Sequence, residues 1–351
     1  MPLSNIKKIA VLRANRLGDF IFSLPALQAL KKTYPEAELV LLGTPWHHEF
    51  LKNRPSPVDR VIVIPPIEGI YSLENNSTLN SQSLDDFFSQ MRQENFDIAI
   101  QLHGGGRYSN PFINSLGAKT TLGSKTPDAE GLDIEVPYIY WQSEILRYLE
   151  VVSLIDAKTD QISPNVFVTD QDIEESLSLV PKSNKPIVII HPGASDERRQ
   201  WPIDKFALVG NELGKKGYDI FITGTKDEQH ITSKVTKFMS EAATSLAGQL
   251  SLGGLSGLIS RSSLVISNDS GPLHLAVAIG KPTVGIYWCG NFITGAPTTT
   301  AIHRSAISWR LECPDCGINF QAPRCKHNSS WVDEASSQEV LEHSLELLNL
   351  N

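Results

Sequence analysis

The chain has 351 residues, with 31 basic and 39 acidic side chains and a net charge of -8. Because domains run to roughly 100–200 residues, this length predicts about two domains and excludes a small scaffold held by disulfides. With 41% hydrophobic and 20% charged residues, the composition is that of a globular protein,. Because acidic residues outnumber basic ones, the overall charge excludes nucleic acid as the main binding partner.

The N-terminal residues contain no apolar stretch of signal-peptide type,. The longest apolar runs, such as 39–42 and 61–64, are far shorter than the roughly 18 residues needed to cross a bilayer,. We therefore expect a cytoplasmic protein with at most peripheral membrane contact.

Short β-branched runs alternate with helical periodicity along the chain, which predicts βαβ units and a mostly parallel sheet. The first half has predicted strands at 8–13, 39–43, 60–64 and 98–103, with helices at 26–33 and 84–94. The polar, proline-punctuated stretch 157–185 is interpreted as a linker with one short helical stretch,. The second half has predicted strands at 187–191, 220–223, 264–267 and 283–287, with helices at 203–216, 228–240 and 272–279.

The repeated pattern predicts an α/β protein of two Rossmann-like domains that face each other across a cleft. The domains are expected at 1–165 and 166–335, followed by a helix at 336–351 that packs back on the N-terminal domain. Ligands of open α/β sheets bind at the carboxyl ends of strands. Functional residues are therefore expected directly after strands.

The first predicted strand runs into the motif R-A-N-R-L-G-D, which ends at Asp19. This carboxylate is either catalytic or the N-cap of the following helix. Arg13 and Arg16 accompany it, and His103 follows another strand of the same half. The turn lacks G-x-G-x-x-G spacing, so it does not predict a dinucleotide loop.

Two loops of the second half carry groups that suit a nucleotide. H-P-G-A-S ends at Ser195 and is followed by Arg199, an arrangement that fits a diphosphate or is simply a solvated charged loop,. G-T-K-D-E ends at Glu228, which could accept hydrogen bonds from ribose hydroxyls or complement a helix dipole,.

The segment N-D-S-G-P-L-H-L-A provides Asp269, Ser270, Gly271 and His274. Pro272 suits the first position of a helix, so free backbone amides would point outward at the helix start. Such an end binds a phosphate without a divalent metal. His274 is either a packing residue or part of the site.

Together these motifs resemble glycosyltransferase family 9, the ADP-heptose:lipopolysaccharide heptosyltransferase family. The resemblance implies the GT-B fold, inverting and metal-independent transfer, an N-terminal acceptor domain and a C-terminal donor domain. It assigns the catalytic base to Asp19. The donor-binding residues that it implies are Ser195, Arg199, Glu228, Asp269, Ser270, Gly271 and His274. Arg13, Arg16 and His103 are candidates for the acceptor side.

The leading hypothesis is that the protein transfers a sugar from an ADP-linked donor to lipopolysaccharide core or a related surface glycan. Heptose, from ADP-heptose, is the expected sugar. The alternative is a GT-B enzyme that uses another nucleotide sugar and a protein or polysaccharide acceptor. A third hypothesis, a nucleotide-sugar-binding protein without catalysis, is disfavoured by the presence of Asp19.

A cysteine cluster near the C-terminus is a separate feature. Three thiols and one imidazole, enough for a tetrahedral site, come from Cys313, Cys316, Cys325 and His327,. A structural zinc or iron and reduced thiols in a loop are both open interpretations, because the spacing matches no standard zinc finger. Cys289 is either a remote fourth ligand or a small cleft residue. No cofactor is expected for catalysis.

Overall fold

A computed structural model of the chain describes residues 3–72 and 81–350. The chain divides into two compact units, Met1–Pro164 and Asn165–Asn351. In the described residues, each unit holds one six-stranded parallel sheet. The prediction of an α/β protein with two Rossmann-like domains is confirmed.

The first unit has a sheet of strand order β3-β2-β1-β4-β5-β6. In chain order its elements are β1 Lys8–Leu12, α1 Leu17–Thr33, β2 Glu38–Gly43, α2 Pro45–Leu51, β3 Arg60–Val63, α3 Ser81–Gln93, β4 Ile98–Gln101, α4 Ser109–Ser115, β5 Thr120–Lys125, β6 Ile134–Pro137 and α5 Glu144–Ser153.

The second unit repeats the topology, with the order β12-β11-β10-β7-β8-β9. Its elements are α6 Asp170–Leu179, β7 Ile187–His191, a single 3-10 turn Glu197–Arg199, α7 Ile203–Lys215, β8 Asp219–Ile222, α8 Gln229–Phe238, β9 Ala243–Ser245, α9 Leu252–Arg261, β10 Leu264–Asn268, α10 Gly271–Ile279, β11 Thr283–Trp288, α11 Cys289–Gly295, β12 His303–Ser308 and α12 Ser337–Asn349.

Three of the strands at the sheet centres are buried along their whole length. Every residue of β4, β7 and β10 is buried. Parallel strands covered on both faces read as continuous apolar runs, which is why these strands were visible in the sequence. Within the described residues, no helix is long and apolar enough to span a bilayer.

The eight predicted strands are present within two residues of their expected bounds, whereas β5, β6, β9 and β12 were not predicted. β6, β9 and β12 lie at sheet edges, where one neighbour is missing and an apolar run is not required. Helix α1 begins at Leu17 rather than at residue 26 and continues through Pro25. Proline removes a single N–H donor, and here the rest of the helix tolerates that loss.

The predicted linker is partly a structural element. Within it, α6 packs against α9 in the second unit. A Cβ at Gly257 of α9 would lie 2.0 Å from the Asp172 carbonyl oxygen, so glycine permits this close approach. At the other end of the unit, α12 packs against α7, β11 and β12. The expected contact of this last helix with the N-terminal domain stays a prediction.

Candidate active site

Each sheet reverses its strand order at its centre, between β1 and β4 and between β7 and β10. Such a reversal leaves a crevice at the carboxyl edge, where open α/β sheets bind ligands. The loops after these four strands, together with the first turns of the helices that follow them, carry all but one of the predicted catalytic, donor and acceptor residues. Glu228, which follows the neighbouring strand β8, is the exception.

Asp19 lies in the first turn of α1, and its position is set by Arg13. Arg13 NH2 pairs with Asp19 Oδ1 at 3.0 Å, and its Nε donates to the Asp19 carbonyl at 3.0 Å. The remaining nitrogen, NH1, donates to the Leu102 carbonyl at 2.6 Å. Arg13 is only 1% exposed, whereas the Asp19 side chain keeps 36% of its exposure. A buried cation therefore holds an accessible carboxylate.

The N-cap interpretation of Asp19 is wrong, because the N-cap residue of α1 is Arg16. The Asp19 carboxylate lies inside the first turn and pairs with Arg13 instead. Arg16 itself is exposed at the helix start.

A buried network on α5 supports Arg13 and was missed by sequence reasoning. The Arg13 guanidinium lies 4.8 Å from the centroid of the Tyr148 ring. The Tyr148 hydroxyl donates to Glu144, which also pairs with Arg147. The spacing i, i+3, i+4 puts these three residues on one face of an amphipathic helix, and that pattern could have signalled the network.

His103 lies directly after β4 and is buried. Its Nδ1 accepts the Ala14 N–H at 3.3 Å, so the neutral ring carries its proton on Nε2. Burial, and then the charge of Arg13, lower the pKa of His103 to about 3. Among the described residues, Nε2 has no hydrogen-bond partner, which leaves one donor for a ligand.

His103 opens onto a cavity of about 230 Å³ in the first unit. Its lining includes Arg107, Tyr108, Thr126, Asp128 and Tyr140. A guanidinium, a carboxylate and two phenol rings suit the hydroxyls and apolar faces of a saccharide. The sequence did not indicate this cavity, because its walls come from separate loops.

Asp269 is the centre of the site in the second unit. Its buried carboxylate accepts from Arg199 at 3.0 Å and interacts with His274 Nε2 at 2.9 Å. Burial alone would raise the pKa of Asp269, but the hydrogen bond and charge of His274, with those of Arg199, lower it below its usual value. Arg199 NH2 donates to Ser195 Oγ at 2.9 Å. Four predicted donor residues thus form one connected group.

The start of α10 presents free donors beside this group. Ser270 is the N-cap residue and its side chain makes no capping bond. Within the described part of the chain, the N–H groups of Ser270 and Gly271 have no hydrogen-bond partner. A helix end of this kind attracts an anion through its amides and its dipole. The phosphate site itself stays a prediction, which these free amides are consistent with.

Asn268, the last residue of β10, connects this strand to the loop after β7. Sequence reasoning did not assign this role. Its Oδ1 accepts the Trp201 N–H at 3.0 Å, and its Nδ2 donates to the Pro192 carbonyl at 2.7 Å. Asn268 therefore fixes both ends of the loop after β7. The residue stands inside the N-D-S-G motif, so the signal was present but was not interpreted.

Glu228, which follows β8 in the chain, lies beside the loop after β7. Its Oε2 accepts the Thr225 N–H at 2.8 Å. A Cβ on Gly193 would lie 2.1 Å from Glu228 Oε1, so the Glu228 carboxylate lies directly against the loop after β7. The structure thus brings Glu228 to the predicted donor residues.

The cysteine cluster is assembled in the second unit. Its ligand atoms lie within 4.8 Å of one another and come from Cys313, Cys316, Cys325 and His327. Cys313 Sγ is 3.7 Å from His327 Nδ1, close to the roughly 3.8 Å expected between ligands of a tetrahedral ion with bonds of about 2.3 Å. Cys289 is not in the group, because its thiol points to the Arg310 carbonyl at 3.9 Å.

The backbone around Cys313 is arranged for a thiolate. Burial would raise the pKa of Cys313, but the backbone N–H groups of Asp315 and Cys316, with the Cys325 and Cys316 thiols, lower it to about 7. Gly317 closes the turn by donating to the Cys313 carbonyl at 2.9 Å. Its φ of +69° is a left-handed conformation that favours glycine,. This donor set fits zinc or iron.

Comparisons with known proteins agree on one family. The family model "Glycosyltransferase family 9 (heptosyltransferase)" matches residues 85–313. Lipopolysaccharide heptosyltransferase 1 of Campylobacter coli is 25% identical over 301 residues, 80% of this chain and 83% of that protein. The lipopolysaccharide core heptosyltransferase OpsX of Haemophilus influenzae is 23% identical over 302 residues, 83% of this chain and 82% of that protein.

Solved structures share the fold. A family 9 glycosyl transferase from Veillonella parvula superimposes with a TM-score of 0.78 at 20% identity, covering 100% of this chain and 99% of that one. The E. coli ADP-heptose lps heptosyltransferase II superimposes with a TM-score of 0.74 at 18% identity, covering 98% of this chain and 99% of that one. The dodecameric iron-containing heptosyltransferase TibC superimposes with a TM-score of 0.58 at 13% identity, covering 100% of this chain and 78% of that one. These likenesses show the GT-B fold that the resemblance implied.

The lowered pKa of His103 predicts a pH dependence of stability. The pKa is about 3 in the fold but about 6.5 in the unfolded chain, so the unfolded state binds an extra proton between these values. Stability is therefore lost as the pH falls below about 6.5. We expect the free energy of unfolding, measured with urea, to fall less for His103→Gln than for wild type when the pH is lowered from 7.5 to 5. The difference between the two decreases should be about 2 kcal/mol. Tyr108→Phe, which changes the lining of the same cavity and keeps the aromatic ring, is the control. Identical pH dependence of His103→Gln and wild type would contradict the assignment.

Proposed function

Because the chain belongs to glycosyltransferase family 9, and is therefore a glycosyltransferase, we propose that it transfers heptose from ADP-heptose to a lipopolysaccharide core or related surface glycan. The observation that carries the donor half is the connected group of Asp269, Arg199 and Ser195 beside the free amides of α10. The relatives are named as lipopolysaccharide heptosyltransferases, which supports the sugar and the acceptor.

The donor half of the reaction is assigned to the second unit. The Arg199 side chain pairs with Asp269 and is 27% exposed. This cation, together with the backbone amides of Ser270 and Gly271, would stabilise charge on the departing diphosphate. These donors supply positive potential without a metal ion, so we propose metal-independent chemistry. Glu228 would accept hydrogen bonds from the ribose hydroxyls. Solved E. coli heptosyltransferase structures with ADP and with an ADP-heptose analogue support an ADP-linked donor.

The acceptor half is assigned to the first unit. Asp19 would take the proton of an acceptor hydroxyl as its oxygen forms a bond to the anomeric carbon. The bond from that carbon to the diphosphate breaks in the same step, and the nucleoside diphosphate leaves. Attack from the side opposite the leaving group inverts the anomeric centre. The cavity at His103 and Tyr140 would hold the acceptor saccharide.

The proposed location is the cytoplasm, at the inner face of the inner membrane, because the acceptors in the relatives' names are lipopolysaccharides. The alternative function is a GT-B transferase with another nucleotide sugar and a protein or polysaccharide acceptor. Identity near 25% to the relatives leaves room for such a change of substrate. A binding protein without catalysis is disfavoured by the accessible Asp19 carboxylate.

The proposed base makes a direct prediction. Asp19→Asn keeps the shape of the side chain but cannot accept the proton, so kcat should fall by about 100-fold or more. Binding of the ADP-sugar, measured by calorimetry, should not change. Asp204→Asn, at an exposed aspartate of α7, should behave as wild type. A variant Asp19→Asn that transfers sugar at the normal rate would remove Asp19 from the mechanism.

The donor assignment is tested by ligand-induced stabilisation. ADP and ADP-heptose at about 100 times Kd should stabilise the protein by about 2.7 kcal/mol, seen as a rise in Tm. Arg199→Ala should lose most of this shift, while Lys215→Ala, which removes only a surface pair with Glu212, should retain it. A rise in Tm with UDP or GDP sugars but not with ADP sugars would favour the alternative function.

We also propose that the Cys/His cluster binds a structural zinc or iron ion. Three thiols and an imidazole converge at ligand spacing, and backbone N–H groups already face Cys313. An iron-containing relative of the same fold supports iron as one candidate. Bound there, the ion would cross-link residues 313–327 and take no part in sugar transfer.

Elemental analysis tests the metal site. Protein purified without chelator should contain about one zinc or iron ion per chain, because the four ligands complete one tetrahedral site. Cys316→Ser should lower the metal content sharply, whereas Cys289→Ser, outside the cluster, should retain it. A clearly substoichiometric metal content in wild type would refute the proposal.

A further inference from the structure

The Cys/His cluster does not stand apart from the donor residues. We call residues 311–331, which contain it, the cysteine loop, and residues 195–200 the donor turn. The Trp331 N–H donates to the Arg198 carbonyl at 2.7 Å, and Ser330 Oγ donates to the Gln200 carbonyl at 2.7 Å. The end of the cysteine loop is thus hydrogen-bonded to the backbone of the donor turn.

Arg198 connects the two segments through its side chain as well. Its guanidinium lies 5.7 Å from the centroid of the Trp331 ring. On its other side it makes a two-nitrogen pair with Asp196, at 3.0 Å from Nε and 2.6 Å from NH2. Arg324, next to Cys325, also reaches Asp196, at 3.7 Å. The Arg198 guanidinium therefore lies between Asp196 of the donor turn and Trp331 of the cysteine loop.

Aromatic packing anchors the cysteine loop to the sheet. Trp288, the last residue of β11, contacts Phe320 of the loop at 5.2 Å and Trp331 at 5.4 Å between ring centroids. Trp288 Nε1 donates to the Arg310 carbonyl at 2.7 Å. The loop thus has one fixed side on β11 and one on the donor turn.

Arg198 and Arg199 are neighbours in the donor turn. Arg198 and Arg199 share one 3-10 turn, which Asp196 caps through the Arg198 N–H. Arg199 in turn holds Asp269 at 3.0 Å and Ser195 at 2.9 Å. A shift of Arg198 would therefore move the cation assigned to the diphosphate.

Charge favours the same coupling. Three thiolates and a neutral imidazole around a divalent ion leave a net negative charge, which complements Arg198 and Arg324. The hydrogen bond to Asp196 raises the pKa of Arg198, and the Cys325 and Cys313 charges add to that effect. Without an ion, the segment between Cys313 and His327 would lose its cross-link.

We propose that the metal-loaded cysteine loop is a brace for the donor turn, and that Arg198 is the positioning residue through which it acts. The inference rests on the proposed donor site and the proposed metal site. It predicts that metal loss or removal of the Arg198 charge weakens nucleotide binding, while the chemical step at saturating donor is little changed.

The test compares ADP binding in four forms of the full-length protein: wild type and Arg198→Gln, each metal-loaded and after chelation. Metal-loaded Arg198→Gln should keep its metal, bind ADP about 10-fold more weakly and show a higher donor KM with kcat nearly unchanged. Chelated wild type should show a similar loss and faster amide exchange in residues 195–200. Chelating the variant should add little, because both changes break one connection.

Two controls separate positioning from general damage. Arg198→Lys, which retains the charge, should recover part of the ADP affinity. Arg304→Gln, which removes an arginine paired with Glu346 on α12, should leave ADP affinity and its dependence on metal unchanged.

The outcomes are distinguishable. If chelated wild type binds ADP as tightly as the loaded protein, or if the two losses multiply, the brace is refuted while the donor and metal sites stand. If loaded wild type fails to bind ADP, the proposed donor function fails, and the inference falls with it. If the purified protein holds no metal, the proposed metal site and the inference fail while the donor assignment stands.

Discussion

The reversal of strand order at the centre of each sheet is the constraint on which the functional geometry depends. Parallel strands with helices on both faces are buried along their length, so polar side chains can meet a ligand only where strands end. At the reversal, between β1 and β4 and between β7 and β10, the following chains diverge and leave a crevice,. The candidate base and the candidate phosphate site lie at these two edges.

Both edges use one buried ion to hold one accessible ion. In the first unit Arg13 is buried and Asp19 is partly exposed. In the second unit Asp269 is buried and Arg199 is partly exposed. A buried charge is costly unless it is paired and hydrogen-bonded, so each buried member requires its partner in place. The same requirement keeps the exposed member from adopting other orientations, which favours a preorganised site.

The second unit adds support from distant parts of the chain. Asn268 fixes both ends of the loop after β7, and Trp331 bonds to Arg198 within that loop. The donor turn is thus held by β10 on one side and by the cysteine loop on the other. In the proposed arrangement the cysteines position the donor turn, while the proposed chemistry needs no metal.

The sequence by itself determined the features that are local. Apolar runs located eight of the twelve strands in the described residues, and short motifs after four of these strands contain Asp19, Ser195, Glu228 and Asp269. A run of buried residues or a helix start depends on neighbours along the chain, so a pattern can reveal it. The spacing of the cysteines likewise suggested a metal site without establishing one.

Only the tertiary structure decided which of these residues meet and what holds them. The pairing of Arg13 with Leu102, the α5 network around Tyr148, and the cavity at His103 join residues far apart in sequence. The edge strands β6, β9 and β12 carry weak apolar signals because each pairs on one side only. Long-range contacts depend on how strands stack and helices cross, and one sequence read in short windows does not contain that information.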